Sequence, residues 1–287
     1  MNFIQFFGCL NSFVPALLLT ALFHGNTRAQ DTRPDIVLII VDDLNDWVGC
    51  LSGHPKARSP NIDALANKGM LFSQAYCNAP QCRPSRTSLN SGIFPYKTGI
   101  YFNARYPRER KITSPTLQQF FSQEGYRVAS GGKVFHGNPG KHGDALFNRP
   151  RDPKPPKGKD KFNAMKAPND GYPLDVPDHT MGDYKVATWA IQQWKTKSEK
   201  PLFMSVGFFR PHRPLQVPQP WFKPFPLASI QRPAEPKGED DWADLPDFAK
   251  RLARTHAHKP LHQGLSDHEY LVKNKQWNAT IQAYQAS

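Results

Sequence analysis

Short β-branched runs alternate with amphipathic stretches along the chain, and most runs end in charged or glycine-rich residues. Residues 35–41 (DIVLIIV) suit a strand buried on both faces, and the run stops abruptly at Asp42-Asp43. Ser59-Pro60 places a serine at an N-cap and a proline at the first helical position, predicting a helix that closes at Gly69. Met70–Tyr76 reads as a second strand, and a short helix follows from about Pro84 to Gly92. Leu117–Glu124 reads as a helix stopped by Gly125, with a strand over Tyr126–Ser130 leading into Gly131-Gly132-Lys133. Apolar residues at 184, 186, 187, 190, 191 and 194 have helical spacing and predict a helix over Asp183–Lys195. Leu202–Phe209 is a further strand, running into Arg210-Pro211-His212-Arg213-Pro214. Residues 137–180 and 211–238 lack a period and read as loop, whereas 265–286 look helical. Strands alternating with helices predict an α/β fold.

Composition adds three points. The 287 residues suffice for one large α/β domain or two small ones. The 28 prolines are about twice the usual share of roughly 5% and concentrate in the second half, where they predict long ordered loops. A formal net charge of +13 favours polyanionic partners. No zinc-finger spacing, RNP-like motif or basic heptad region supports nucleic acid, so an acidic polysaccharide fits better, with a plain solubility charge as the alternative.

The N-terminus reads as an export signal over residues 1–29. Residues 3–23 are largely apolar, and Thr27-Arg28-Ala29 places small residues at −1 and −3 before Gln30. No Lys or Arg precedes the apolar run, and ~20 apolar residues could instead span a bilayer. Asn11, Ser12 and the cleavage-like site favour a cleaved signal, a secreted or periplasmic protein and no stable membrane anchor. Cys50, Cys77 and Cys82 then remain, so at least one thiol of the exported chain has no partner.

Three constellations carry chemistry. Adjacent carboxylates at Asp42 and Asp43 repel unless a cation sits between them, and the carboxyl edge of an α/β sheet is where ligands bind. Hard oxygen donors there suit Ca²⁺ or Mg²⁺, although an isolated Asp pair is more often a turn or a helix cap. In Cys82-Arg83-Pro84-Ser85-Arg86 the cysteine sits at a helix N-terminus, where exposed N–H groups and the dipole favour anions and lower a thiol pKa. Arg86 follows one turn on, within reach of an oxyanion; a structural cysteine or a disulfide to Cys50 or Cys77 is the other reading. Lys133 and His136 follow one strand and His212 another, so all three can meet at one cleft, bind a tetrahedral anion and protonate a leaving oxygen.

Together these residues describe the cleavage of an anionic ester, and Cys82-x-Pro84-x-Arg86 resembles the signature of the type I sulfatase family. RPDIVLIIVDDL, SPNIDALANKGMLFSQAY, NAPQCRPSRTSL, GYRVASGGKVFH and FFRPHRP resemble that family too, from about residue 33 to the end. Among its subfamilies the chain looks closest to the iduronate-2-sulfatases. The resemblance implies an alkaline-phosphatase-like α/β fold, a large mixed sheet flanked by helices, with residues 30–287 forming the catalytic domain. It implies that a maturation enzyme converts Cys82 to formylglycine, whose hydrate is nucleophile and metal ligand. Asp42 and Asp43 would bind the metal, Ca²⁺ rather than Mg²⁺. Arg86 would stabilise the hydrate, Lys133 and His212 would hold sulfate or assist the leaving group, and His136 would orient or deprotonate the hydrate. One hydrate oxygen attacks sulfur and the alcohol leaves; the other hydroxyl collapses to the aldehyde and expels sulfate.

Two departures qualify the resemblance. Ser91-Gly92-Ile93 stands where a Thr-Gly-Arg commonly follows the nucleophile helix. The chain also ends at Ser287, before the second metal-binding pair of the family, which makes the catalytic domain incomplete at its C-terminus. Asp178-His179 follows a proline-rich loop rather than an apolar strand, so it reads as a decoy for that pair. The expected activity is hydrolysis of sulfate esters on a sulfated sugar or polysaccharide. The alternatives are a phosphonate or phosphodiester hydrolase of the same superfamily, or an inactive truncated fragment.

Overall fold

The computed structural model describes residues 32–104, 112–137, 143–153, 171–233, 243–254, 265 and 267–287; the N-terminal segment 1–29 lies outside the described residues. The elements run β1 (Ile36–Val41), α1 (Pro60–Lys68), α2 (Cys82–Ser91), α3 (Pro95–Thr98), α4 (Leu117–Gln123), β2 (Arg127–Gly132), β3 (Ala145–Phe147) and β4 (Tyr172–Leu174). They continue with α5 (Gly182–Lys195), β5 (Leu202–Phe208), β6 (Gln216–Pro218), α6 (Asp247–Arg254), α7 (Asp267–Lys273) and α8 (Trp277–Ala286). Four strands form one sheet in the order β1-β5-β2-β3, and every pairing in it is parallel. A second, two-stranded parallel sheet joins β4 to β6.

Parallel pairing needs a crossover between successive strands, and the helical periods supply it. The α5 face of the sheet buries Ala129, Leu202, Met204 and Val206 beneath Val186 and Trp189. On the other face α4 covers Val128 and Phe203 with Leu117 and Phe121, and the Phe121 and Phe203 rings stack 4.0 Å apart. Burying a side chain such as Phe203 contributes about 1.5–3 kcal/mol. A capping box holds the start of α4: the Thr116 hydroxyl accepts from the Gln119 amide, and the Gln119 side chain accepts from the Thr116 amide. A third cluster, around Leu174, Leu215, Val217, Phe225 and Ala283, fastens the small sheet to α8.

Several expectations change. Residues 70–76 form no strand: no described strand lies alongside to take up their backbone hydrogen bonds, and Met70, Phe72 and Tyr76 are exposed. β1 is not buried on both faces. It is an edge strand, and α5 packs over β5 and β2, leaving Val37 and Ile39 exposed. The loop expected over 137–180 contains β3 and β4, and the one over 211–238 contains β6; each is only three residues long, too short to show a period. The helical C-terminus divides into α7 and α8 at Lys275, which has a φ of 56°. Ser59 precedes α1 without capping it; its hydroxyl accepts from the Gly49 amide and donates to Asp63.

Candidate active site

Three strand ends and one helix start meet at the carboxyl edge of the sheet. Asp42 follows the last residue of β1 and extends its ladder by donating its amide to the Phe208 carbonyl. Lys133 follows β2 and donates its amide to the Gly207 carbonyl at 2.7 Å. This approach requires glycine on both strands. A Cβ at Gly207 would lie 2.1 Å from the Lys133 carbonyl carbon, and one at Gly132 would lie 2.0 Å from the Gly207 oxygen. The helix α2 starts two residues earlier than its proline suggests, so Cys82 occupies its first turn and Arg86 lies one turn on.

Asp42 is the hub. Its carboxylate is 5% exposed, accepts from Arg86 Nη2 at 2.6 Å and from Lys133 Nζ, and lies 3.8 Å from Cys82 Sγ. Burial alone would raise its pKa, but the hydrogen bonds from Lys133 and Arg86, with their charges, outweigh that and hold the carboxyl below its ordinary value. Arg86 Nη1 also donates to the Lys133 carbonyl, so helix α2 and the end of β2 are clamped to the acidic strand end. Deeper in, Asn90 donates to the Arg86 and Val134 carbonyls, and Gln118 bridges Asn90 to Ser205.

The thiol corrects one expectation. Burial raises the Cys82 pKa, and Asp42 and Asp43 add to the rise against the lowering effect of Lys133 and Arg86. A helix N-terminus and a nearby arginine therefore do not make this thiol a ready thiolate, chiefly because it is partly buried, with the carboxylates adding to the effect. Cys50, Cys77 and Cys82 are all unpaired by disulfides, so neither disulfide alternative is realised. A cavity of about 290 Å³ opens over Cys82, bounded by Asp43, Leu44, Cys77 and Leu89.

His212 Nδ1 faces the Arg213 carbonyl at 2.5 Å, and a carbonyl only accepts, so Nδ1 carries the proton. Nε2 then points at two carboxylates, 4.0 Å from Asp42 and 3.8 Å from Asp43. Nε2 and the two carboxylates thus face one another as donors that a metal cation could share. Asp42, Cys82 and His212 each offer one ligand atom, all within 4.8 Å of one another. Carboxylate, sulfur and imidazole nitrogen together suit a softer divalent ion, whereas Ca²⁺ and Mg²⁺ prefer oxygen. A hard cation would need position 82 to present oxygen in place of sulfur, and oxygen donors beyond this trio.

Arg86 and Lys133 contact this trio through Asp42, whereas Asp43 and His136 stand outside it. Asp43 is half-exposed; its Oδ2 lies 3.8 Å from His212 Nε2, and its charge also bears on Cys82. His136 is exposed on the rim; partial burial, then the charges of Lys133, Arg83 and Arg86, lower its pKa and favour the neutral ring. Asp178-His179 lies in a 3-10 turn, where Asp178 accepts from the Trp221 indole, away from the trio.

A charge network behind His212 had no sequence signal beyond the arginine in FFRPHRP. Asp183 accepts from the Phe209 and Arg210 amides and from Arg149 Nε at 2.6 Å. Asp152 accepts from Arg149 and from Arg210, each at 2.6 Å. Burial disfavours the Arg149 charge, but Asp152 and Asp183 outweigh it and push its pKa up. The Phe209 ring is flanked by Lys133, Arg149 and Arg210 at 4.7, 4.6 and 5.3 Å. The loop that carries His212 is thus held rigidly to the start of α5.

The family model described as Sulfatase matches residues 34–281. A protein named Sulfatase from Formosa agariphila is 30% identical over 276 residues, 88% of this chain and 52% of that protein. Human iduronate 2-sulfatase is 34% identical over 237 residues, 75% of this chain and 42% of that protein. The chain thus spans about half the length of these curated relatives. Among solved structures, the phosphonate monoester hydrolase of Agrobacterium radiobacter superposes with a TM-score of 0.60 at 18% identity, covering 88% of this chain and 56% of that one. A 2-O GAG sulfatase superposes with a TM-score of 0.55 at 20% identity, covering 88% of this chain and 53% of that one. These likenesses establish the alkaline-phosphatase-like α/β fold.

Proposed function

The chain belongs to the sulfatase family, and from that premise we propose that it hydrolyses sulfate esters on a sulfated sugar or polysaccharide. The observation that carries this reading is the sharing of the Asp42 carboxylate by Arg86 and Lys133, with Cys82 Sγ beside it. Such a cluster holds an anion-binding pair of cations and a reactive position at fixed separation. The raised thiol pKa leaves unconverted Cys82 poorly prepared to attack an ester, and the Cys82-x-Pro84-x-Arg86 signature supports its conversion to formylglycine.

Formylglycine supplies a hydrate nucleophile with its own exit route for sulfate, and a divalent cation, Ca²⁺ in this reading, supplies charge that polarises the ester. Asp42 and Asp43 hold the cation together with position 82. Arg86 fixes Asp42 and faces the negative charge that develops at position 82. Lys133 Nζ and His212 hold the sulfate oxygens and neutralise the departing alkoxide. His136, whose pKa is lowered by partial burial and then by its cationic neighbours, accepts a proton from position 82. Residues 1–29 act as a signal peptide that exports the protein to the periplasm or the medium, and 30–287 belong to the catalytic domain. A maturation enzyme is the implied partner, and the net charge of +13 supports a polyanionic substrate.

Parallel assays with an aryl sulfate and an aryl phosphodiester test the reading in protein matured for formylglycine. The expected result is a kcat/KM that favours the sulfate and disappears in Cys82→Ala. A preference for the phosphodiester, or unchanged sulfate turnover in Cys82→Ala, overturns it.

A further inference from the structure

Asp43 has a φ of 57°, one of three non-glycine residues with positive φ among those described. L-residues rarely hold this conformation, and it persists only where the surroundings impose it. The surroundings here converge on one atom from the other end of the chain. The hydroxyl of Tyr284, on α8, accepts the Asn45 amide at 2.8 Å. Its own proton faces the Asp43 carbonyl at 3.0 Å and Asn45 Oδ1 at 2.9 Å. Asn45 Oδ1 also accepts the Trp47 amide at 3.0 Å, and the Trp47 ring meets Tyr284 edge-on, 5.4 Å between centroids. The turn that follows the acidic pair is therefore wrapped around a single phenolic oxygen.

The consequence lies in where Asp43 points. Its Oδ2 is 3.8 Å from His212 Nε2. Relaxation of the backbone to negative φ would rotate the Cα–Cβ bond and carry that carboxylate away from His212 and Asp42. We infer that Tyr284 is a positioning residue, whose hydroxyl holds Asp43 in the left-handed conformation that turns its carboxylate toward the cation site. This inference rests on the proposal that Asp42 and Asp43 share a divalent cation, and it assigns to α8 a part in building that site.

The test uses the full 287-residue chain, matured at position 82, and compares it with Tyr284→Phe and Gln282→Ala. The second variant removes a hydrogen bond from α8 to the Phe225 carbonyl and leaves the turn untouched, so it controls for loosening of the helix. Ca²⁺ affinity is read by calorimetry, and the Asn45 amide by hydrogen exchange and its NMR shift. Tyr284→Phe is expected to weaken Ca²⁺ binding about ten-fold, the effect of losing one hydrogen bond, and to speed Asn45 exchange by a similar factor. Gln282→Ala is expected to alter neither. Unchanged Asn45 exchange in Tyr284→Phe, or equal weakening of Ca²⁺ binding by both variants, overturns the inference. Should the unsubstituted chain bind no divalent cation, the metal reading fails by itself. A Tyr284→Phe chain whose Asn45 amide then stays protected would remove the positioning role as well.

Discussion

Asp42 concentrates the electrostatics of the site in one buried carboxylate between Arg86 and Lys133. Removing its charge leaves two cations facing each other without compensation, so Asp42→Asn should lower stability by about 3–5 kcal/mol in urea unfolding at neutral pH. The pH dependence has a definite sign. A carboxyl held below its ordinary 3.8 contributes stability that is present above that pH and is lost as pH falls through the folded value. Asp42→Asn should therefore flatten the stability decline below pH 3.8; an unchanged acid limb would contradict the ion pairs. Cys82 gives a second prediction. With its pKa raised, the unconverted thiol should alkylate with iodoacetamide more slowly than exposed Cys77 near neutral pH, measured by peptide mass spectrometry. Asp42, Lys133 and His212 were legible because each follows a patterned strand, where the fold class places ligands, and Cys82 because it opens a helix. Tyr284 was not, since it meets Asn45 from 239 positions away and no local spacing announces such a contact.

At the scale of elements, the site depends on how closely β2 and β5 approach at their carboxyl ends. A methyl group at Gly207 would collide with the backbone of Lys133. Gly207→Ala should cost about 3 kcal/mol through overpacking and should shift the Lys133 ammonium off Asp42, which calorimetric melting and a crystal structure would reveal. The loop after β5 depends instead on charge. Asp183→Ala removes the acceptor for two amides and for Arg149, and about 3 kcal/mol of stability should go with it. The strand at 36–41 was readable from its β-branched run, the one at 202–208 from its apolar run, and the one at 127–132 from the helix stop at Gly125 before it and the Gly-Gly-Lys after Ser130. The segment 70–76 (MLFSQAY) is apolar too but has no β-branched residue and no strand partner among the described residues, so an apolar run alone does not make a strand. The Arg149, Asp152, Asp183 and Arg210 network was unreadable because its members come from the segment after β3, the first turn of α5 and the loop after β5, which only the tertiary fold brings together.

At the scale of the whole chain, β1 is an edge strand among the described residues, with Val37 and Ile39 39% and 55% exposed. Such an edge templates further pairing, so the 287-residue chain should self-associate, and Ile39→Lys should reduce light scattering of a concentrated sample. The expectation that β1 is buried on both faces misses this, because a continuous apolar run does not reveal which side of a sheet has a neighbour. The fold, the surface charge and the cluster at the sheet edge bear on a single claim, that position 82 becomes an oxygen nucleophile held beside Asp42. The mass of the tryptic peptide containing residue 82, from protein produced with a formylglycine-generating enzyme, tests that claim most directly. Conversion predicts a loss of about 18 Da relative to cysteine and an aldehyde that reacts with a hydrazide probe. A peptide that keeps the mass and the free thiol of cysteine would contradict it.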